Sequence, residues 1–74
     1  MKDMEEILDS FCYRIKEIRD ENNWTIKQFA EHVQIPRTTI NSWVLKKRAP
    51  KIDLLYKMAD ILDVSIDYLV GRED

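Results

Sequence analysis

The chain has 74 residues, enough for one small domain, and its 45% hydrophobic and 35% charged residues describe a globular chain rather than a disordered one. One glycine and two prolines are too few for an all-β fold, one cysteine excludes an intramolecular disulfide, and one histidine leaves no histidine cluster for a metal. The net charge of −2 conceals a segregation: residues 32–52 hold Arg37, Lys46, Lys47, Arg48 and Lys51 and no acid, while residues 1–31 carry eight acids against five bases and residues 53–74 six against two. A solvated face usually mixes signs, so an acid-free island between acidic flanks points to a polyanion. No apolar run approaches the roughly 18 residues of a membrane span. The opening Met-Lys-Asp-Met-Glu-Glu is too acidic for a signal peptide. The expected setting is the reducing cytoplasm, with no membrane partner.

Met4, Leu8, Phe11, Ile15 and Ile18 recur at steps of four and three, which predicts a helix over about 4–22 with one apolar stripe. Glu5, Glu6 and Asp9 suit the positive end of its dipole, and Asn22-Asn23 closes it. Thr25 with Gln28 three residues on forms a capping box for a second helix over about 26–33, with Trp24 placed to pack on Phe29 and with Phe29, Ala30 and Val33 inward. Pro36 marks a third start. Ile40, Trp43 and Val44 share one face of that helix, and Thr38, Asn41, Ser42 and Leu45 share the opposite one. Lys-Lys-Arg-Ala-Pro at 46–50 is a basic loop. A fourth helix over about 51–62 has Ile52, Leu55, Met58, Ala59 and Leu62 inward. Ser65 caps a short fifth with Ile66, Leu69 and Val70 inward, and Gly71 stops it. The expectation is an all-α chain of five helices, a single domain over 1–74 with a helical extension at 1–10.

Two short helices joined by Gln34-Ile35-Pro36, followed by a polar outward helix surface and a basic loop, make the arrangement that a helix-turn-helix over 25–45 requires. The bracing helix needs a small residue at the crossing, and Ala30 supplies it. The reading helix must present short polar side chains to base edges in the major groove, a task that fits Thr38, Asn41 and Ser42, with Arg37 at the exposed N-terminal end. Without that motif the same residues would read as ordinary helix surface. Trp24 and Trp43 read as core, and Cys12 and His32 as structural or incidental.

Residues 25–43, T-I-K-Q-F-A-E-H-V-Q-I-P-R-T-T-I-N-S-W, resemble the Cro and phage-repressor (XRE-type) helix-turn-helix family, as do K-K-R-A-P, L-L-Y-K-M-A-D-I-L-D-V-S and the closing S-I-D-Y-L-V-G-R-E-D. The resemblance covers about residues 11–74. It implies a five-helix, lambda-repressor-like DNA-binding domain that regulates transcription, of prophage-repressor type. Such a protein works by occupying an operator and denying polymerase its promoter. Carried over by position, base contacts fall to Arg37, Thr38 and Ser42 with Asn41 beside them. Phosphate contacts fall to Thr25, Lys27 and Gln28, then to Lys46, Lys47 and Arg48. The chain departs from the family pattern at three places. Ile26 stands where a glutamine often grips a phosphate, and Gln34 stands at the usual turn glycine. Val44-Leu45-Lys46 stand where the third helix usually ends Glu-Asn-Gly, which leaves Leu45 exposed. If Gln34 occupies the glycine position, its φ is expected to be positive.

The implied partner is a double-stranded operator, bound by a homodimer built from Ile66, Leu69 and Val70 or from Met4, Ile7 and Leu8. No nucleophile–base pair, metal ligand set or glycine-rich phosphate loop suggests an enzyme, and no cofactor is implied. Ligand sensing is expected to come from another protein, an antagonist if any. The competing reading is a protein-interaction module on the same fold, antitoxin-like or regulator-binding, with weak DNA affinity.

Overall fold

The computed structural model describes residues 2–72, and among them the chain is all-α: α1 (Met4–Asn22), α2 (Ile26–Val33), α3 (Arg37–Val44), α4 (Ile52–Leu62) and α5 (Ile66–Leu69). Three helix starts are capped by side chains. Asp3 accepts the Glu6 amide at 2.9 Å, Ser65 accepts the Tyr68 amide at 2.9 Å, and Thr25 and Gln28 complete the reciprocal box expected of them. Trp24 packs on Phe29 with ring centroids 6.4 Å apart, which fixes the angle at which the chain enters α2.

The helix ends are all built alike. After each one, a residue with positive φ donates its amide three residues back, and the next residue donates five residues back. These residues are Asn23, Gln34, Lys46, Asp63 and Gly71. Only one is glycine. At Gly71 the requirement is doubly strict, because φ is +83° and an added Cβ would stand 2.6 Å from Cβ of Ser10.

α1 packs on α5 and α3, α2 on α3 and α4, and α4 on α5. Their meeting place is a core of Phe11, Ile15, Ile18, Phe29, Ala30, Val33, Ile35, Ile40, Trp43, Met58, Ala59 and Leu69. Phe11 and Trp43 meet edge to face at 5.7 Å, so the centre of α1 braces the inner face of α3. Arg14 ties α1 to α5: its guanidinium lies over the Tyr68 ring at 4.5 Å, and its Nε donates to the Tyr68 carbonyl at 3.2 Å.

Two residues expected to face inward do not. Ile52 is 82% exposed and Ile66 is 36% exposed. The apolar arc of α4 is wider than the surface its neighbours cover. Ile52 continues outward with Tyr56, while Leu54, Leu55, Met58, Ala59 and Leu62 pack inward. Ile66 opens a helix of four residues, too short to turn both apolar edges toward the core. Leu69, conversely, is fully buried within the chain, so its side chain is not available as a contact for a second copy.

Candidate nucleic-acid interface

The turn between α2 and α3 determines how α3 is presented. Gln34 lies at φ 59°, ψ 42°, as the glycine position requires, and its carbonyl accepts Lys57 Nζ at 2.7 Å. Ile35 donates to the Ala30 carbonyl at 3.1 Å and is itself 3% exposed, so the turn is anchored in the core. Its burial was not read from the sequence, where it stood only as a linker residue. Ala30 is 5% exposed, consistent with its role as the small residue under α3.

Ile40 and Trp43 fix the inner face of α3, at 0% and 2% exposure. At about 100° per residue, Thr38, Asn41 and Ser42 then span roughly a third of a turn centred opposite them, with Arg37 at the edge beside Asn41. Arg37 and Thr38 are exposed, and Asn41 and Ser42 are half-buried. The Ser42 hydroxyl donates to the Thr39 carbonyl at 2.6 Å, which leaves its oxygen free to accept. Leu45, 63% exposed, continues the same face at the C-terminal end. α3 therefore offers a donor-rich start, a short polar middle and an apolar finish.

The N-terminus of α2 supplies a second set. Thr25 Oγ1 accepts the Gln28 amide at 3.1 Å and Gln28 Oε1 accepts the Thr25 amide at 2.9 Å. Both side chains keep donors after capping: the Thr25 hydroxyl proton and the Gln28 amide NH2. With the exposed Lys27 and the free amides of the first turn, they form the donor-rich helix start that anions seek.

The loop after α3 is the third set. Lys47 and Arg48 are exposed and make no side-chain ion pair or hydrogen bond among the described residues. Lys46 differs, since its ammonium is paired with Asp9 of α1 and is held above its ordinary pKa, first by that hydrogen bond. Beside this pair the Cys12 thiol donates to the Trp43 carbonyl at 3.1 Å, and burial pushes its pKa up. These two cross-helix contacts were not read from the sequence. No group of His, Cys, Asp and Glu among the described residues could hold a metal, and no helix among them is long and apolar enough to cross a membrane.

Two short helices joined by a turn that Ile35 anchors in the core, the second with a polar outer face and a basic loop behind it, define the helix-turn-helix class. The chain belongs to the helix-turn-helix family, whose model matches residues 15–69. Among its relatives in Bacillus subtilis (strain 168) is the uncharacterized HTH-type transcriptional regulator YobD, 30% identical over 64 residues, 86% of this chain and 57% of that protein. Others there are the HTH-type transcriptional regulator ImmR, 33% identical over 61 residues (82% and 48%), and AnsR, 32% identical over 60 (81% and 52%). The chain thus spans about half the length of the curated relatives it matches. No solved structure gives a significant match.

Proposed function

We propose that the chain is a sequence-specific double-stranded DNA-binding transcriptional regulator, a repressor of prophage type that acts by occupying its operator. The observation that carries this reading is the outward face of α3, where Arg37, Thr38, Asn41 and Ser42 converge within the acid-free stretch 32–52. Arg37 takes a guanine through O6 and N7; Thr38, Asn41 and Ser42 meet neighbouring base edges or a thymine methyl. Thr25, Lys27 and Gln28 hold one strand's phosphates, and Lys47 and Arg48 hold others; such contacts set register without reading sequence.

One domain of this kind reads half an operator, and two place their reading helices one DNA turn, about 34 Å, apart. The proposed regulator is therefore a homodimer. With Leu69 buried within the chain, its contacts are Ile66 and Val70, or Met4, Ile7 and Leu8. Four of these (Val70, Met4, Ile7 and Leu8) line one apolar groove with Phe11, Pro50 and Leu55.

The test begins with selection from a randomised duplex library. Wild type and variants are then titrated on the selected site and a scrambled duplex across a salt series. Arg37→Ala should lose the selected site far more than the scrambled one, and equal losses would make Arg37 a phosphate contact. The exposure of Leu45 favours the protein-interaction reading as the second choice. That reading takes over if neither Arg37→Ala nor Lys47→Ala alters DNA binding.

A further inference from the structure

Lys46 is set apart from the rest of the basic loop by two independent observations. Its backbone lies at φ 60°, in the left-handed conformation that ends α3, a place where glycine is relaxed and a lysine is strained. Its ammonium is ion-paired with Asp9, and Glu5, one turn earlier on α1, adds negative potential at the same nitrogen. Both partners are about half exposed, at 50% and 49%, so a competing anion can reach the pair. Asp9 and Glu5 also precede residue 15, where the family match begins. The acidic partner is thus supplied by a part of α1 outside the matched segment.

We propose that Asp9 is an affinity-limiting residue for DNA: it holds the Lys46 ammonium in an intramolecular pair that a backbone phosphate must displace before it gains that charge. The proposal rests on the DNA-binding reading above. A lysine already neutralised by a carboxylate displaces fewer of the cations condensed on DNA, and it gains less from a phosphate than Lys47 or Arg48 does. Displacement also leaves an unpaired carboxylate facing a polyanion. The acidic extension therefore acts as a fixed competitor that lowers binding to operator and non-specific DNA alike.

The test titrates a labelled mixed-sequence duplex with wild type, Asp9→Asn, Lys46→Ala and the double variant, from about 50 to 200 mM salt. Asp9→Asn should bind about two- to fivefold tighter at the low-salt end, the size of one exposed ion pair. Its log–log salt slope should steepen by about one unit per bound protomer. On the Lys46→Ala background the same change should leave affinity within about 1.5-fold, because the coupling runs through Lys46. Far-UV circular dichroism and an Asp9→Ser variant with the same behaviour exclude a folding artefact. Binding by Asp9→Asn equal to or weaker than wild type overturns the proposal, as does an equal gain on the Lys46→Ala background. Those results leave the DNA-binding reading standing. In this titration a wild type that shows no salt-sensitive binding to duplex removes that reading, and the proposal with it.

Discussion

Replacing Gln34 with glycine should stabilise the domain, although it deletes a side chain. Gln34 is held at φ 59°, ψ 42° between α2 and α3. That conformation costs a residue with a β-carbon about 1–2 kcal/mol, and it costs glycine nothing. The exposed side chain makes no hydrogen bond among the described residues; the contacts that hold the turn come from the backbone, including the carbonyl that accepts Lys57 Nζ at 2.7 Å. Glycine keeps all of them. Against the gain stands the greater freedom of glycine in the unfolded chain, roughly 0.4–1 kcal/mol. The difference is a stabilisation of a few tenths to about 1 kcal/mol. In urea, with m near the low end of about 1–3 kcal/mol/M, the midpoint should rise by about 0.3–1 M at unchanged m. Asn23→Gly and Asp63→Gly are internal controls. They occupy the same conformation, at φ 57° each, but their short polar side chains tolerate it better and should gain less. A destabilisation of Gln34→Gly by more than about 1 kcal/mol would refute the reasoning, because the turn would then depend on the glutamine side chain.

Gly71→Ala should destabilise by about 2 kcal/mol in the same assay, from strain at φ +83° and the 2.6 Å approach to Ser10; a neutral result would mean that α5 ends differently. Thr25→Ala removes one half of the capping box and should cost about 0.5–2 kcal/mol while also weakening DNA binding without changing sequence preference. Arg37→Ala should cost about 1–3 kcal/mol on the selected operator, whereas Lys47→Ala should weaken operator and scrambled DNA alike and lower the salt slope by about one unit per half-site. Cys12 should alkylate with iodoacetamide at pH 8 more slowly than a free cysteine peptide, because burial raises its pKa and keeps it as the unreactive thiol; a faster reaction would contradict the buried contact with the Trp43 carbonyl. Sedimentation equilibrium should show dimers at least on operator DNA, with Val70→Glu shifting them toward monomers; one protomer per full operator would reject the two-fold arrangement.

What the sequence discloses about the fold is mostly local. The stripe from Met4 to Ile18 and the Asn22-Asn23 stop give α1, which runs Met4–Asn22. Thr25 and Gln28 announce their own hydrogen bonds, since both partners lie within one turn. Gln34 reveals its positive φ only through its position in the family pattern; composition alone would not place a glutamine there. The periodicity fails at Ile52 and, in a helix of only four residues, at Ile66. It reports which residues are apolar on a helix, whereas burial depends on how far the neighbouring helices extend. Lys46 repeats the difficulty at the interface. Its residue type and loop fit a phosphate contact, but its pairing with Asp9 depends on how α1 docks across the end of α3, which no spacing along the chain encodes.

The left-handed residues show where the fold accepts strain. Five helix ends need that conformation and the chain has one glycine. Asn23 and Asp63, which close α1 and α4, are the residue types that bear it most easily after glycine. Gln34 and Lys46 have no such relief; Lys46 directly follows the Leu45 cap of α3, and Gln34 lies two residues before its proline start. The two costlier ends therefore bracket the helix proposed to read DNA. A glycine at either place would relax the backbone, but it would also loosen the unfolded chain, and at Lys46 it would remove the charge that Asp9 holds. The retained side chains fit a site where a defined pose and a set charge take precedence over maximal stability, which is where strained backbone most often collects.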